Sequence, residues 1–199
     1  SYFALDVDYA AIEASFGTNP VLRKCLAFSP GIRILRQGFY ETLVSCIISQ
    51  NNNIPRIMGI VGRLCRLFGE PLPDGLYAFP GPAAVAAAGE AGLAPLRAGY
   101  RTKAILDASR RVASGELSEA RLRALPTDEL RSRLLTVYGV GPKVAECVGL
   151  FGLGRLECSP VDVWIRRAMS KYFPRGLPRR FRPVAGIAQQ YLFNYIRGQ

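Results

Sequence analysis

The stretch YGVGPKVAECVGLFGLGRLECSPVDVW, residues 138–164, sets the reading of the whole chain. Upstream of it, PTDELRSRLLTVYG is predicted to form a helix capped by Thr127 and ending at Gly139. Pro142 suits the first turn of a second helix, expected to run to about Leu153. The result is two helices joined by a glycine turn. Glycine admits positive φ and leaves no side chain in the way. The backbone N–H groups of Gly139, Val140 and Gly141 are therefore expected to face outward at the positive end of the second helix, where such an array grips a phosphate oxygen. Because glycine also ends many helices that bind nothing, the turn gains weight only from its neighbours.

The first neighbour is Lys143, in the opening turn of the second helix. A cation there is disfavoured by about 0.3–1 kcal/mol, and partial burial would add to that. A neutral amine is a nucleophile and an ammonium is not, so the position suits an activated lysine. It suits equally a lysine that extends to solvent and touches phosphate. Asp162, 19 residues on, favours the first reading. As a plain N-cap it would need no other purpose. Yet a short return loop brings that helix start back beside Lys143, and an amine facing a carboxylate suits a reaction through a cationic intermediate.

Composition narrows the rest. The chain of 199 residues is 49% hydrophobic, enough for one domain or two closely packed lobes. The apolar runs are too short for a membrane helix, and the start, SYFALDVDYA, has no signal-peptide pattern. A soluble intracellular protein is expected. Histidine is absent, which excludes His-based triads and His-ligated metals. The five cysteines include no C-x-x-C pair and read as reduced core thiols. Twenty-six basic and 15 acidic residues leave a formal charge of +11, and no Asp or Glu follows Asp162. A one-signed stretch of this kind attracts a polyanion, with DNA or RNA the usual one.

The periodicity is helical nearly throughout, so the fold is predicted to be all-α. ALDVDYAAIEASFG is expected to start on an Asp6 cap, with NPVLRKCLAF as a short second helix. FYETLVSCIISQ is nearly continuous in apolar residues, as a central buried helix is. NNNIPRIMGIVGRLCRLFG follows, with asparagines to cap it and Pro55 in its first turn. The Pro/Gly-rich EPLPDGLYAFPGP is a loop. A single domain of two helical lobes flanking a cleft is expected, one around residues 30–115 and the other from 1–29 plus 116–199.

Together these stretches resemble the helix-hairpin-helix base-excision DNA glycosylases, and within them the 8-oxoguanine DNA glycosylases. The resemblance rests on the quoted stretch and on YFALDVDYA, IRILRQ, IISQNNNIPRI, AGYRTKAI and AGIAQQYLF, and so covers nearly the whole chain. It implies a monomer acting on double-stranded DNA that contains a damaged base. Lys143 would attack C1′, expel the base and form a Schiff base, after which β-elimination nicks the strand. Asp162 would stabilise the developing positive sugar. The target base must leave the stack; Tyr100 would wedge into the vacated step. Asn51, Arg56 and Arg101 would hold the orphaned cytosine. As plain structure, Asn51 would be a cap, Tyr100 core, and the two arginines solvated surface.

The expelled base would lie between Cys147 and Phe193, with Gln189 on its Watson–Crick edge and Phe151 completing the wall. Spacing agrees independently: Gln189 and Phe193 are four apart, as are Lys143 and Cys147. Carbonyls of Leu135, Val137 and Val140 would hold a monovalent or divalent cation; no other cofactor is implied. Two departures stand out. The family's N-terminal β-domain, which supplies a carbonyl that senses N7–H of the oxidised base, is expected to be lacking. The family's histidine two residues after the aspartate is here Trp164, which would pack in the pocket but lose a phosphate or sugar hydrogen bond. An endonuclease III-like enzyme for oxidised pyrimidines is the nearest rival. It often carries an iron–sulfur cluster on four C-terminal cysteines, whereas only Cys147 and Cys158 lie in the last third here. An alkylpurine glycosylase normally lacks the lysine. A non-catalytic helix-hairpin-helix module that clamps phosphate is the remaining alternative.

Overall fold

A computed structural model describes residues 2–198. It is all-α: among the described residues the only extended pairing is an isolated bridge between Pro71 and Tyr77. α1 (Tyr9–Gly17) is capped by Asp8, whose carboxylate accepts from the Ala11 N–H at 2.9 Å. The expected cap, Asp6, instead pairs with Arg36 at 2.6 Å. α2 (Pro20–Phe28) carries Asn19 as cap and proline in its first turn. α3 (Phe39–Ser49) buries most of its surface, through Phe39, Thr42, Leu43, Val44, Ile47 and Ile48, and leaves Glu41 exposed. α4 (Ile54–Phe68) begins on Asn53, which accepts from the Arg56 N–H at 3.0 Å.

α5 (Pro82–Leu93) and α6 (Arg101–Ala113) pack closely on each other, and α3 packs on α4 and α6. After α7 (Glu119–Ala124) come α8 (Thr127–Leu135), α9 (Pro142–Cys147), α10 (Val163–Tyr172) and α11 (Ala185–Arg197). α11 lies against α2 and α10. α3 also touches α9 and the turn after it, so one continuous core joins all these helices. Tyr191 stitches distant parts together: its hydroxyl donates to Glu13 at 2.7 Å and accepts from the Ile32 N–H at 3.1 Å.

Two local outcomes differ from the sequence reading. Thr127 does not cap α8. Its hydroxyl donates to Glu157, and the residue at the cap position is Pro126. α8 also stops at Leu135 rather than Gly139, because Val137 and Val140 bond in a separate turn at 3.0 Å. The second hairpin helix does run to about Leu153, but α9 widens into a π turn over Val148–Gly152. π turns inside α-helices are frequent at functional sites.

Candidate active site

The hairpin is fixed from three sides. Gly139 has φ of +75°, and a Cβ there would stand 2.8 Å from the Ala104 side chain on α6. The Tyr138 N–H donates to Asp107 at 2.9 Å, which ties the turn to α6. The Gln50 side chain donates to the Gly139 carbonyl at 3.0 Å, which ties it to the loop after α3. Gly141 starts α9 in extended geometry with no side chain capping its N–H groups. Val140 is buried beneath, so the turn offers backbone rather than side chains to a ligand.

The return loop is fastened one turn beyond Lys143. Glu146 takes Arg131 of α8 at 2.5 Å and accepts the Ser159 N–H at 2.6 Å. Gly149 lets Cys158 approach so closely that an added Cβ would meet its sulfur at 2.5 Å. Arg155 donates to the Leu125 carbonyl at 2.6 Å. These contacts bring the start of α10 back over α9. Asp162 caps α10 with one carboxylate oxygen, accepting from Ile165 N–H at 2.8 Å. Its second oxygen is left for the cleft.

That cleft, of about 220 Å³, is lined by Lys143, Cys147, Phe151, Pro160, Asp162, Gln189, Gln190 and Phe193. Six of these residues were expected there from sequence, and they come from α9, the π turn, the α10 cap and α11. Lys143 and Asp162 share the cleft without closing to ion-pair distance. Lys143 is exposed rather than half-buried. Gln189 is 8% exposed; its carbonyl oxygen accepts from Gln190 at 2.6 Å, and its amide nitrogen is left for a ligand. The Cys147 thiol is held below the ordinary thiol range, chiefly by a hydrogen bond from Cys46 and next by the charge of Lys143. The Cys46 thiol is pushed up in return by the same bond and by burial. The sequence singled out Cys147 but not Cys46, since the two meet only through the packing of α3 on α9.

Trp164 does not line the cleft. It sits outside, 49% exposed, beside a separate groove formed with Arg167, Lys171, Tyr172 and Ile196. The reason is helical phase: two residues after the cap, its side chain points away from the face that carries Asp162.

On the far rim, Asn51 is exposed with φ of +46°, and Tyr100 is 64% exposed. Arg56 is also exposed, and the end of its guanidinium lies beside Gly99. Arg101 differs from its expectation. It is 2% exposed, and its guanidinium donates to the carbonyls of Gln50 at 3.0 Å, Asn51 at 2.9 Å and Ala98 at 3.3 Å. It is neither solvated surface nor free for a base; it holds the loop that carries Asn51. Gln50, Asp107 and Glu146 were not signalled by motif, because each acts through a backbone group that spacing does not reveal.

Fold and cleft together define an all-helical protein with a glycine hairpin at the mouth of a lysine-bearing pocket. The chain belongs to the HhH-GPD superfamily of base excision DNA repair proteins, whose match spans residues 44–176. The N-glycosylase/DNA lyase of Saccharomyces cerevisiae is 37% identical over 183 residues, covering 83% of this chain and 48% of the yeast protein. A probable N-glycosylase/DNA lyase of Methanothermobacter thermautotrophicus is 31% identical, covering 85% of this chain and 64% of that protein. The chain thus spans about half of the first relative and under two-thirds of the second. Among solved structures, Clostridium acetobutylicum 8-oxoguanine glycosylase/lyase in complex with double-stranded DNA containing cytosine opposite 8-oxoguanine superposes with a TM-score of 0.89. It is 35% identical, and the match covers 99% of this chain and 72% of that one.

Proposed function

We propose that the protein is a DNA glycosylase and abasic-site lyase that removes 8-oxoguanine opposite cytosine. The observation that carries this reading is the shared cleft: an exposed lysine at a helix start and a carboxylate with one uncommitted oxygen line the same space as a thiol and an aromatic ring. The likeness to 8-oxoguanine glycosylase/lyase supports the choice of base.

Lys143, as the neutral amine, attacks C1′ of the extruded nucleotide. The C–N bond to the base breaks, and the electron pair leaves with the base. The free oxygen of Asp162 stabilises the positive charge that develops on the sugar, which is the larger part of the barrier reduction in sites of this kind. The attacking nitrogen passes one proton to the departing base; the C1′–O4′ bond then breaks, its electron pair staying on O4′, which takes up a proton, and a protonated Schiff base is left at C1′. Loss of the C2′ proton to solvent forms the C2′–C3′ double bond and expels the 3′ phosphate. Cys147 and Phe193 sandwich the base, Gln189 bonds its edge, and Phe151 closes the wall. Tyr100 fills the vacated step while Asn51 and Arg56 take the unpaired cytosine, and Arg101 keeps their loop in shape. Backbone N–H groups of Gly139, Val140 and Gly141 grip phosphate without reading sequence. Carbonyls of Leu135, Val137 and Val140 suit a hard cation, which would add charge for that grip. The enzyme works as a monomer.

Borohydride reduction of the Schiff base tests the scheme. With a duplex carrying 8-oxoguanine opposite cytosine, the protein is expected to form a covalent adduct. Lys143→Gln should lose that adduct to background and keep its DNA affinity within a few-fold. Trapping on oxidised pyrimidines alone would transfer the assignment to an endonuclease III-like activity, and no trapping on any lesion would leave a phosphate clamp.

A further inference from the structure

Arg197 lies in the last turn of α11, four residues after Phe193. Its guanidinium carbon is 5.7 Å from the centre of the Phe193 ring and 5.9 Å from that of Trp164. Both distances are within cation–π range. Phe193 lines the cleft and Trp164 does not, so Arg197 stands at the edge of the cleft mouth, between the two. Among the described residues its side chain makes no hydrogen bond or ion pair, and no acidic residue follows Asp162 in the chain. A guanidinium stacked on rings uses its faces and leaves its in-plane N–H groups free in a fixed fork. That fork matches two oxygens of a phosphate. The groove beyond Trp164 carries two further cations, Arg167 and Lys171.

We propose that Arg197, held by Trp164 and Phe193, grips a backbone phosphate beside the extruded nucleotide. The proposal rests on the reading of the cleft as a nucleotide site and adds a contact to it. The two rings fix the fork before DNA arrives, so little side-chain entropy is lost on binding. The same stacking braces Phe193 from outside the cleft. Arg197 therefore links the grip on the backbone to the wall that holds the base.

The test uses a duplex with a reduced abasic site, which binds without being cleaved. For wild type and Arg197→Met, dissociation constants are measured across a range of salt concentrations. The variant is expected to bind roughly tenfold more weakly, as for loss of one charge-assisted hydrogen bond. The slope of log affinity against log salt should fall by about 0.9, the value for one phosphate. Uncharged methylphosphonates are then placed one at a time around the site. At one position the wild type should lose affinity and Arg197→Met should lose nothing more. Arg197→Lys should restore the slope but only part of the affinity.

An unchanged slope in Arg197→Met, or methylphosphonate losses that recur in full in the variant at every position, would overturn the proposal. In that case Arg197 only covers the Trp164 ring with its stem. These outcomes are separate from failure of the glycosylase reading itself. That failure would show as absence of borohydride trapping in the wild-type protein, whatever Arg197 does.

Discussion

The two rims of the cleft are built on opposite plans. On the α9–α10–α11 side, side chains reach the open space from regular helices and a helix cap. On the opposite side, residues 50–53 and 97–100 are loop, with Asn51 and Arg97 at positive φ, and the buried Arg101, at the start of α6, holds residues 50 and 51 in place. The first plan is rigid because helix packing fixes it. The second depends on side chains that satisfy backbone carbonyls, and an arginine that motif alone assigns to DNA is spent on the protein. Residue type and spacing therefore report shared helix faces well, and do not report which loop carbonyls a buried side chain will satisfy.

The largest expected effect probes the helical rim. Asp162→Asn keeps the cap, since asparagine caps as well as aspartate, but removes the charge that faces the sugar. Excision should slow by about 10²–10³-fold with the melting temperature nearly unchanged. A large loss of stability instead would mean that the carboxylate serves the fold more than the reaction.

The loop rim is probed by the arginines in the first turns of α4 and α6, which border it. Arg101→Met removes the donor that ties the carbonyls of Gln50, Asn51 and Ala98 together and should cost about 3 kcal/mol. For a chain of this size that lowers the melting temperature by roughly 6–12 °C. Arg56→Met should stay within about 0.5 kcal/mol in stability and lose DNA affinity instead. If the two variants behaved alike, the contrast between the rims would fail.

The hairpin joins the two rims and gives smaller effects. Gly139→Ala places a methyl against Ala104 at positive φ and should cost about 1–3 kcal/mol, read by chemical denaturation. Gln50→Ala removes the side-chain bond to the Gly139 carbonyl and should cost about 1 kcal/mol. Its more telling readout is the exchange rate of hairpin amides, which should rise only at the turn.

Much of this protein was legible in its sequence. The helical period, the asparagine and proline at the start of α4, and the largely apolar α3 all gave elements close to those observed. The pocket residues were named by the family resemblance, and four-residue spacing agreed with it by putting Lys143 with Cys147, and Gln189 with Phe193, on single helix faces. Trp164 was misplaced because helical phase turns it away from the cleft. The caps were misread where two acidic residues competed, with Asp8 rather than Asp6 starting α1. Thr127 was misread because its hydroxyl found a carboxylate 30 residues away. The inward turn of Arg101 and the bridging role of Gln50 were not legible, since both depend on carbonyls that any residue would present.

The fastening of Ser159 to Glu146 and of Glu146 to Arg131 has a consequence for how such a site can change. The lysine and the aspartate ride on one tied unit, while Gln189 and Phe193 ride on another helix, joined to that unit at its first turn, where the Gly186 N–H donates to the Leu156 carbonyl at 2.8 Å, and along its packing on α10. Substitutions on α11 can therefore retune which base is accepted and leave the reactive pair undisturbed. New specificities would be reached by editing a single wall.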